Sequence, residues 1–176
     1  GRGRGKEENM EYRIRKAVAS DVKKAALVEA EAFPPQEAAS LASLTERQKT
    51  FPDSFFVAVT EEGEVVGLIN GSMTDEKAIR DEMFEDSSLH NPQGAYQAVF
   101  GLAVDVSCRH MGVASQLMRR LIEEAEKAGK KGLILTCKES LIPFYEKFGY
   151  KNMGVSASVH GGAQWYDMIL EFENCR

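Results

Sequence analysis

Apolar positions change their period several times along this chain, and each change marks an element. Residues 12–17 alternate enough for a first strand. From Val22 onward, Val22, Ala25, Ala26, Val28 and Ala30 fall at helical spacing. A helix capped by Ser20 and Asp21 is therefore predicted to run to about Phe33, where Pro34 and Pro35 stop it. A second, more polar helix is predicted over 38–50, with Pro52 and Asp53 turning the chain. Residues 55–60 and 65–73 are apolar runs joined by Glu61-Glu62-Gly63-Glu64, a hairpin pattern. The charged stretch 74–96 reads as a short helix within a long loop.

After an apolar strand at 98–104, Leu117, Met118, Leu121, Ile122 and Ala125 recur on one face of a helix predicted over 113–128, which Gly129 ends. The strand at 133–137 should lie parallel to 98–104, because a strand, helix and strand of this length form a right-handed crossover. A short helix at 141–148 and strands near 151–159 and 164–171 complete a mixed α/β sheet in one domain, 10–174. Residues 1–9, Gly-Arg-Gly-Arg-Gly-Lys-Glu-Glu-Asn, read as a cloning remnant or disordered tail rather than a nucleic-acid-binding arm.

Composition narrows the class. At 176 residues and 43% hydrophobic content, one core can form without staples. A net charge of −5 argues against a general nucleic-acid binder and favours cationic small substrates. Cys108, Cys137 and Cys175 form neither a disulfide framework nor a metal-ligand spacing, so no metal and a reducing, cytoplasmic location are expected. No apolar run reaches the roughly 20 residues that span a bilayer, so no membrane association is expected.

The strongest chemical signal is the passage from strand to helix at 99–114. Its turn, Arg109-His110-Met111-Gly112-Val113-Ala114, followed by Ser115, would aim backbone N–H groups and a helix N-terminus at one point suited to a pyrophosphate. Small residues at Gly112 and Ala114 let phosphates approach the main chain, and Arg109 adds a charge-assisted contact. No Lys-Ser/Thr pair is present to hold magnesium, so nucleotide hydrolysis is not implied.

The element order, with this Arg-x-x-Gly-x-Ala turn and the later Ile142-Pro143-Phe144-Tyr145-Glu146-Lys147-Phe148-Gly149-Tyr150, resembles the GCN5-related N-acetyltransferase (GNAT) superfamily. The resemblance implies a single-domain, mostly antiparallel sheet whose parallel central strands splay apart to admit acetyl-CoA. It gives the backbone of Leu102, Ala103 and Val104 to the pantetheine and the 109–115 turn to the pyrophosphate. Within the superfamily, Glu31-Ala32-Phe33, Gly71-Ser72, Leu89-His90-Asn91-Pro92-Gln93-Gly94 and Cys137-Lys138-Glu139-Ser140 are similar to arylalkylamine (serotonin-type) N-acetyltransferases and their microbial relatives. Vertebrate members carry a His-x-His pair on the fourth strand. This chain has Ala98 and Phe100 there, so that proton relay does not carry over.

Acetyl transfer to an alkylamine needs a base, because an amine with a pKa of about 10 is protonated at neutral pH. His90, Glu29 and Glu31 are the candidate bases, with Glu31, Phe33 and His90 placed beside the acceptor. Tyr145 is the candidate general acid for the departing thiolate. Cys137 could in principle form an acyl-enzyme, but the resemblance implies direct transfer. His160 reads as a turn residue and Trp165 as core or interface. The reading is acetyl-CoA-dependent transfer to the primary amine of a small arylalkylamine or polyamine-like molecule. Its alternatives are a protein or peptide acetyltransferase and a catalytically weak acyl-CoA sensor. Exposed edges of the last hairpin make a homodimer an expectation.

Overall fold

The computed structural model describes residues 11–173. The predicted tail at 1–9 lies outside the described residues, as do residues 10 and 174 at the ends of the predicted domain. In chain order the strands are β1 (Tyr12–Lys16), β2 (Phe55–Thr60), β3 (Val65–Asn70), β4 (Met73–Thr74), β5 (Tyr96–Val99), β6 (Gly101–Val104), β7 (Gly132–Cys137), β8 (Lys151–Val155) and β9 (Tyr166–Glu171). The helices are α1 (Val22–Ala32), α2 (Leu41–Thr50), α3 (Glu82–Glu85), α4 (Val113–Lys127) and α5 (Ile142–Glu146). Two sheets result, ordered β1-β2-β3-β6 and β4-β5-β7-β9-β8.

The unbroken run Phe55-Phe56-Val57-Ala58-Val59 follows from burial on both faces. Phe55, Val57 and Val59 pack with Val22, Ala25, Val28 and Leu44 from the first two helices. Phe56 and Ala58 pack instead with Leu117, Met118 and Leu121 of α4. Full burial of such a side chain stabilises by about 2 kcal/mol, more than a cap typically contributes, so packing decides where these helices lie. α2 begins later than its pattern predicts because Ser40 supplies the cap, its Oγ accepting the Ser43 N–H at 3.0 Å. In α1 the buried stripe is Val22, Ala25, Val28 and Glu29; Ala30 faces solvent.

Two predicted strands are each divided between the sheets. The run at 65–73 splits into β3 and β4 around Gly71-Ser72, and the run at 98–104 splits into β5 and β6 at Phe100. Registers explain the second break. β4 opposes β5 as Met73 to Gln97 and Thr74 to Tyr96, whereas β3 opposes β6 as Asn70 to Gly101 and Gly67 to Val104. One extra residue has entered the second partner of the pair, a β-bulge at Phe100, and bulges bend and twist the strand that carries them. Before the bulge, β5 pairs in parallel with β7 from Tyr96 opposite Gly132 to Val99 opposite Leu135. Beyond it, β6 follows β3 into the other sheet and leaves Thr136 and Cys137 without a neighbour on that side. The parallel strands thus splay at one defined residue. The strand predicted over 151–159 stops at Val155, and the segment up to Tyr166 loops back toward α1.

Candidate active site

Where β6 and β7 part, a cavity of about 240 Å³ opens. Gly101, Leu102, Leu135 and Cys137 form its strand walls, Phe33, Phe84, Phe100 and Trp165 its aromatic walls, and Glu29, Tyr145 and His160 bring titratable groups to it. Four predicted site residues meet here: Glu29, Phe33, Leu102 and Tyr145. Two are elsewhere. Glu31 is exposed and lies outside the lining, because one turn of α1 turns Glu29, not Glu31, inward. His90 is held in the long loop, where its Nδ1 accepts the Met73 N–H at 3.0 Å and its ring meets Phe51 at 5.2 Å. Burial, with Lys130 nearby, lowers its pKa, in keeping with a neutral acceptor nitrogen tied into the fold.

Glu29 is 3% exposed. Its Oε2 accepts the Ala39 N–H at 3.0 Å, while its Oε1 is buried without a hydrogen-bond partner among the described residues. That oxygen rests against Gly101, where an added Cβ would lie 3.3 Å away. A carboxylate from α1 thereby reaches the strand next to Phe100, beside the positions where histidines are missing. Burial raises its pKa, opposed in part by the Ala39 N–H, Arg47 and His160. Arg47, itself buried, donates to Asn70 Oδ1 at 3.0 Å and to the Phe84 carbonyl at 2.8 Å, with its guanidinium 5.1 Å from the Phe100 ring centre. Burial lowers the Arg47 pKa to about 10, offset in part by Glu29. The guanidinium stays charged and anchors the bulge through Asn70.

Tyr145 is 8% exposed, packed edge-on to Phe144 and Tyr150. Burial first, then the neighbouring Cys137, pushes its phenol well above the usual range, so it is a proton donor at any physiological pH. Burial also pushes the Cys137 thiol up to about 11. A thiol held protonated is a poor nucleophile, which favours direct transfer over an acyl-enzyme. Tyr150 directs its hydroxyl to Met118 Sδ at 3.3 Å and serves the core.

The main chain fits a pantetheine and pyrophosphate, with one correction. Asp105 N–H donates to the Val66 carbonyl at 2.8 Å, and antiparallel alternation then turns Gly101 and Ala103 toward β3 as well. Ala103 is committed to the ladder and its side chain to the core. Leu102 and Val104 present their N–H and C=O groups to the open edge. Beyond β6, Asp105 accepts the Ser107 N–H at 2.9 Å and starts a short 3-10 turn over Val106–Met111. Gly112 then takes a left-handed φ of 77° and delivers the chain into α4 with no side-chain cap. The Val113, Ala114 and Ser115 N–H groups have no partner inside the helix. Val113 is buried and Met111 packs against the core, so they anchor the turn; Arg109 and His110 are exposed. A Cβ at Gly112 would meet no protein atom within 4 Å, so the glycine serves φ and the space before it. Gly112→Glu is expected to weaken acetyl-CoA binding by about tenfold or more, through backbone strain and like charge, measured by isothermal titration. An unchanged affinity would remove the cradle.

No group of three or more His, Cys, Asp or Glu among the described residues is placed to hold a metal ion, and no described helix is long and apolar enough to cross a membrane. His160, Trp165 and Phe84 are lining residues that sequence reasoning did not place here. His160 and Trp165 come from the last hairpin and Phe84 from α3, and none carries a local sequence signal for this place.

Residues 23–150 match the Acetyltransferase (GNAT) family. Serotonin N-acetyltransferase of Mesocricetus auratus is 31% identical over 109 residues, which cover 61% of this chain and 51% of that protein. The chain spans about half the length of the curated relatives it matches. Among solved structures, a GphF GNAT-like decarboxylase in complex with isobutyryl-CoA superposes with a TM-score of 0.73 at 22% identity, over 90% of this chain and 98% of that one. The NatC complex bound to Gag peptide and CoA gives a TM-score of 0.74 at 15% identity, over 93% and 100%. These likenesses concern the fold.

Proposed function

We infer that this chain, which belongs to the GNAT acetyltransferase family, transfers the acetyl group of acetyl-CoA directly to the primary amine of a small molecule, of arylalkylamine or polyamine-like type. One observation carries the reading: a buried carboxylate with an oxygen unpartnered among the described residues, Glu29, lines the same cavity as a buried phenol, Tyr145. The carboxylate suits an ammonium group and the aromatic walls suit its carbon skeleton.

In this mechanism Leu102 and Val104 hold the pantetheine through their free backbone edge, and Arg109 with the 112–115 amides hold the pyrophosphate. The acceptor enters as an ammonium ion. Glu29 takes one of its protons, a transfer favoured because burial raises the carboxylate and lowers the amine. The freed nitrogen attacks the thioester carbon. As the C–S bond breaks, Tyr145 gives its proton to sulfur and recovers one from the nitrogen, which becomes the amide. The proton on Glu29 leaves to solvent. Ammonium ion and thioester become amide, CoA thiol and one released proton.

Tyr145→Phe is the test of the acid. Turnover at saturating acetyl-CoA is expected to fall by about 100-fold or more, with acetyl-CoA affinity unchanged because the phenol acts on the departing sulfur. A rate equal to wild type, measured where chemistry limits turnover, removes Tyr145 from the mechanism.

A further inference from the structure

Two loops meet at the wall of the cavity. The 33–40 connection between α1 and α2 lies against the 156–165 connection between β8 and β9. Glu37 Oε2 pairs at 2.9 Å with Nζ of Lys138, which follows β7, the Glu37 side chain being only 7% exposed and that of Lys138 42%. His160 Nε2 lies 3.1 Å from the Glu37 carbonyl. Gly161, at φ 64°, passes so near that a Cβ would come within 2.5 Å of Glu37 Cγ and 3.2 Å of the Gln36 carbonyl. The far side of the same loop is tied down by Asp81, which accepts from Ser158 Oγ at 2.5 Å and from the Val159 N–H at 3.0 Å. Lys138 also sits 5.6 Å from the centre of the Trp165 ring, and Trp165 donates through Nε1 to the His160 carbonyl at 2.8 Å.

The groups that meet here also line the site. Glu37, Lys138, His160 and Trp165 all face the cavity. On its outer side a second cavity of about 470 Å³ shares the wall made by Glu29, Glu37, Phe84, Phe100 and His160. An acceptor coming from outside must therefore pass or fit within the clasp. An ion pair with one half-exposed partner adds little to overall stability. It can instead fix the 33–40 connection against the end of β7, where the β8–β9 loop rests on both partners through His160 and Trp165.

We propose that the Glu37–Lys138 ion pair is a specificity-determining clasp: it fixes the 33–40 connection against the end of β7, and through the Glu37 carbonyl on His160 and the Lys138 ammonium over Trp165 it holds the β8–β9 loop over the acceptor cavity and restricts the enzyme to slender amines. The inference rests on the transfer reaction above, but its test has a readout that does not. Trp165 is the chain's only tryptophan, so in protein without ligand its fluorescence reports on this loop with no other indole contributing. Glu37→Gln removes the ion pair and leaves Lys138 over the ring. It is expected to raise acrylamide quenching of Trp165 by about twofold and to raise the kcat/KM ratio for 2,2-diphenylethylamine over phenylethylamine by about tenfold. Lys138→Gln is expected to move the kinetic ratio in the same direction and serves if Glu37→Gln does not fold. Either readout remaining at its wild-type value overturns the clasp. Wild-type protein that binds acetyl-CoA yet acetylates no amine contradicts the function proposed above and leaves the quenching readout to decide the clasp.

Discussion

Glu29→Gln is expected to lower kcat by about 1,000-fold, within the range that a positioned general base supplies. The change is close to isosteric, and a Gln oxygen can still accept the Ala39 N–H, so the cavity wall is kept. What is lost is the proton acceptor. The pH profile gives the sharper signature. Because burial raises the Glu29 pKa, wild-type kcat/KM should climb as pH rises through a value above the ordinary carboxylate range, and the variant should lack that limb.

Stability moves the other way. A group whose folded pKa is raised stabilises the fold while protonated, and that contribution is lost as pH rises through the unfolded and then the folded value. At neutral pH the Glu29 charge is thus a net burden, eased in part by Arg47. The variant should melt at or above the wild-type temperature at pH 7, with the advantage shrinking toward pH 4. A folded variant that keeps wild-type turnover removes Glu29 as the base.

Gly71→Ala is expected to be strongly destabilising. An added Cβ would lie 1.9 Å from the Ala98 carbonyl and 2.6 Å from its carbon, both backbone atoms that no rotamer can move. Gly71 occupies the crossing between β3 and β4, opposite the segment that carries the Phe100 bulge, and Gln97 Nε2 donates to its carbonyl at 2.9 Å. Accommodating the methyl means pushing two strands apart, at a cost of about 3 kcal/mol, or a fall of about 10 °C in Tm for a domain of this size. Calorimetry checks it directly. A Tm within about a degree of wild type would mean that the close approach of these strands is not required.

Much of this architecture was legible in the residues. The hairpin turn at 61–64, the helical stripe from Leu117 to Ala125 and the parallel pairing across α4 follow from period and turn chemistry, and the structure has all three. The relation to serotonin N-acetyltransferases, read from short motifs, is met by a relative at 31% identity. The division of two strands between two sheets was not legible. An apolar run such as Val99-Phe100-Gly101-Leu102 has the same composition whether or not one residue bulges. The bulge shows only when the registers on either side are compared.

The acceptor side was harder still. Glu29 and Glu31 are two residues apart on one helix, a rotation of about 200°, and neither composition nor motif says which turns inward. Tertiary contact with Gly101, 72 positions away in sequence, decides it. His160 and Trp165 belong to a loop whose return to α1 leaves no trace in local pattern.

The account stands or falls on the nature of the acceptor, and release of CoA thiol from acetyl-CoA is the measurement to make first. Purified protein would be offered tryptamine, phenylethylamine, spermidine, free lysine and a lysine-containing peptide at saturating acetyl-CoA. The account predicts turnover with one or more of the small amines and none with the peptide. Turnover with the peptide alone, or none with any acceptor despite demonstrated acetyl-CoA binding, would contradict it.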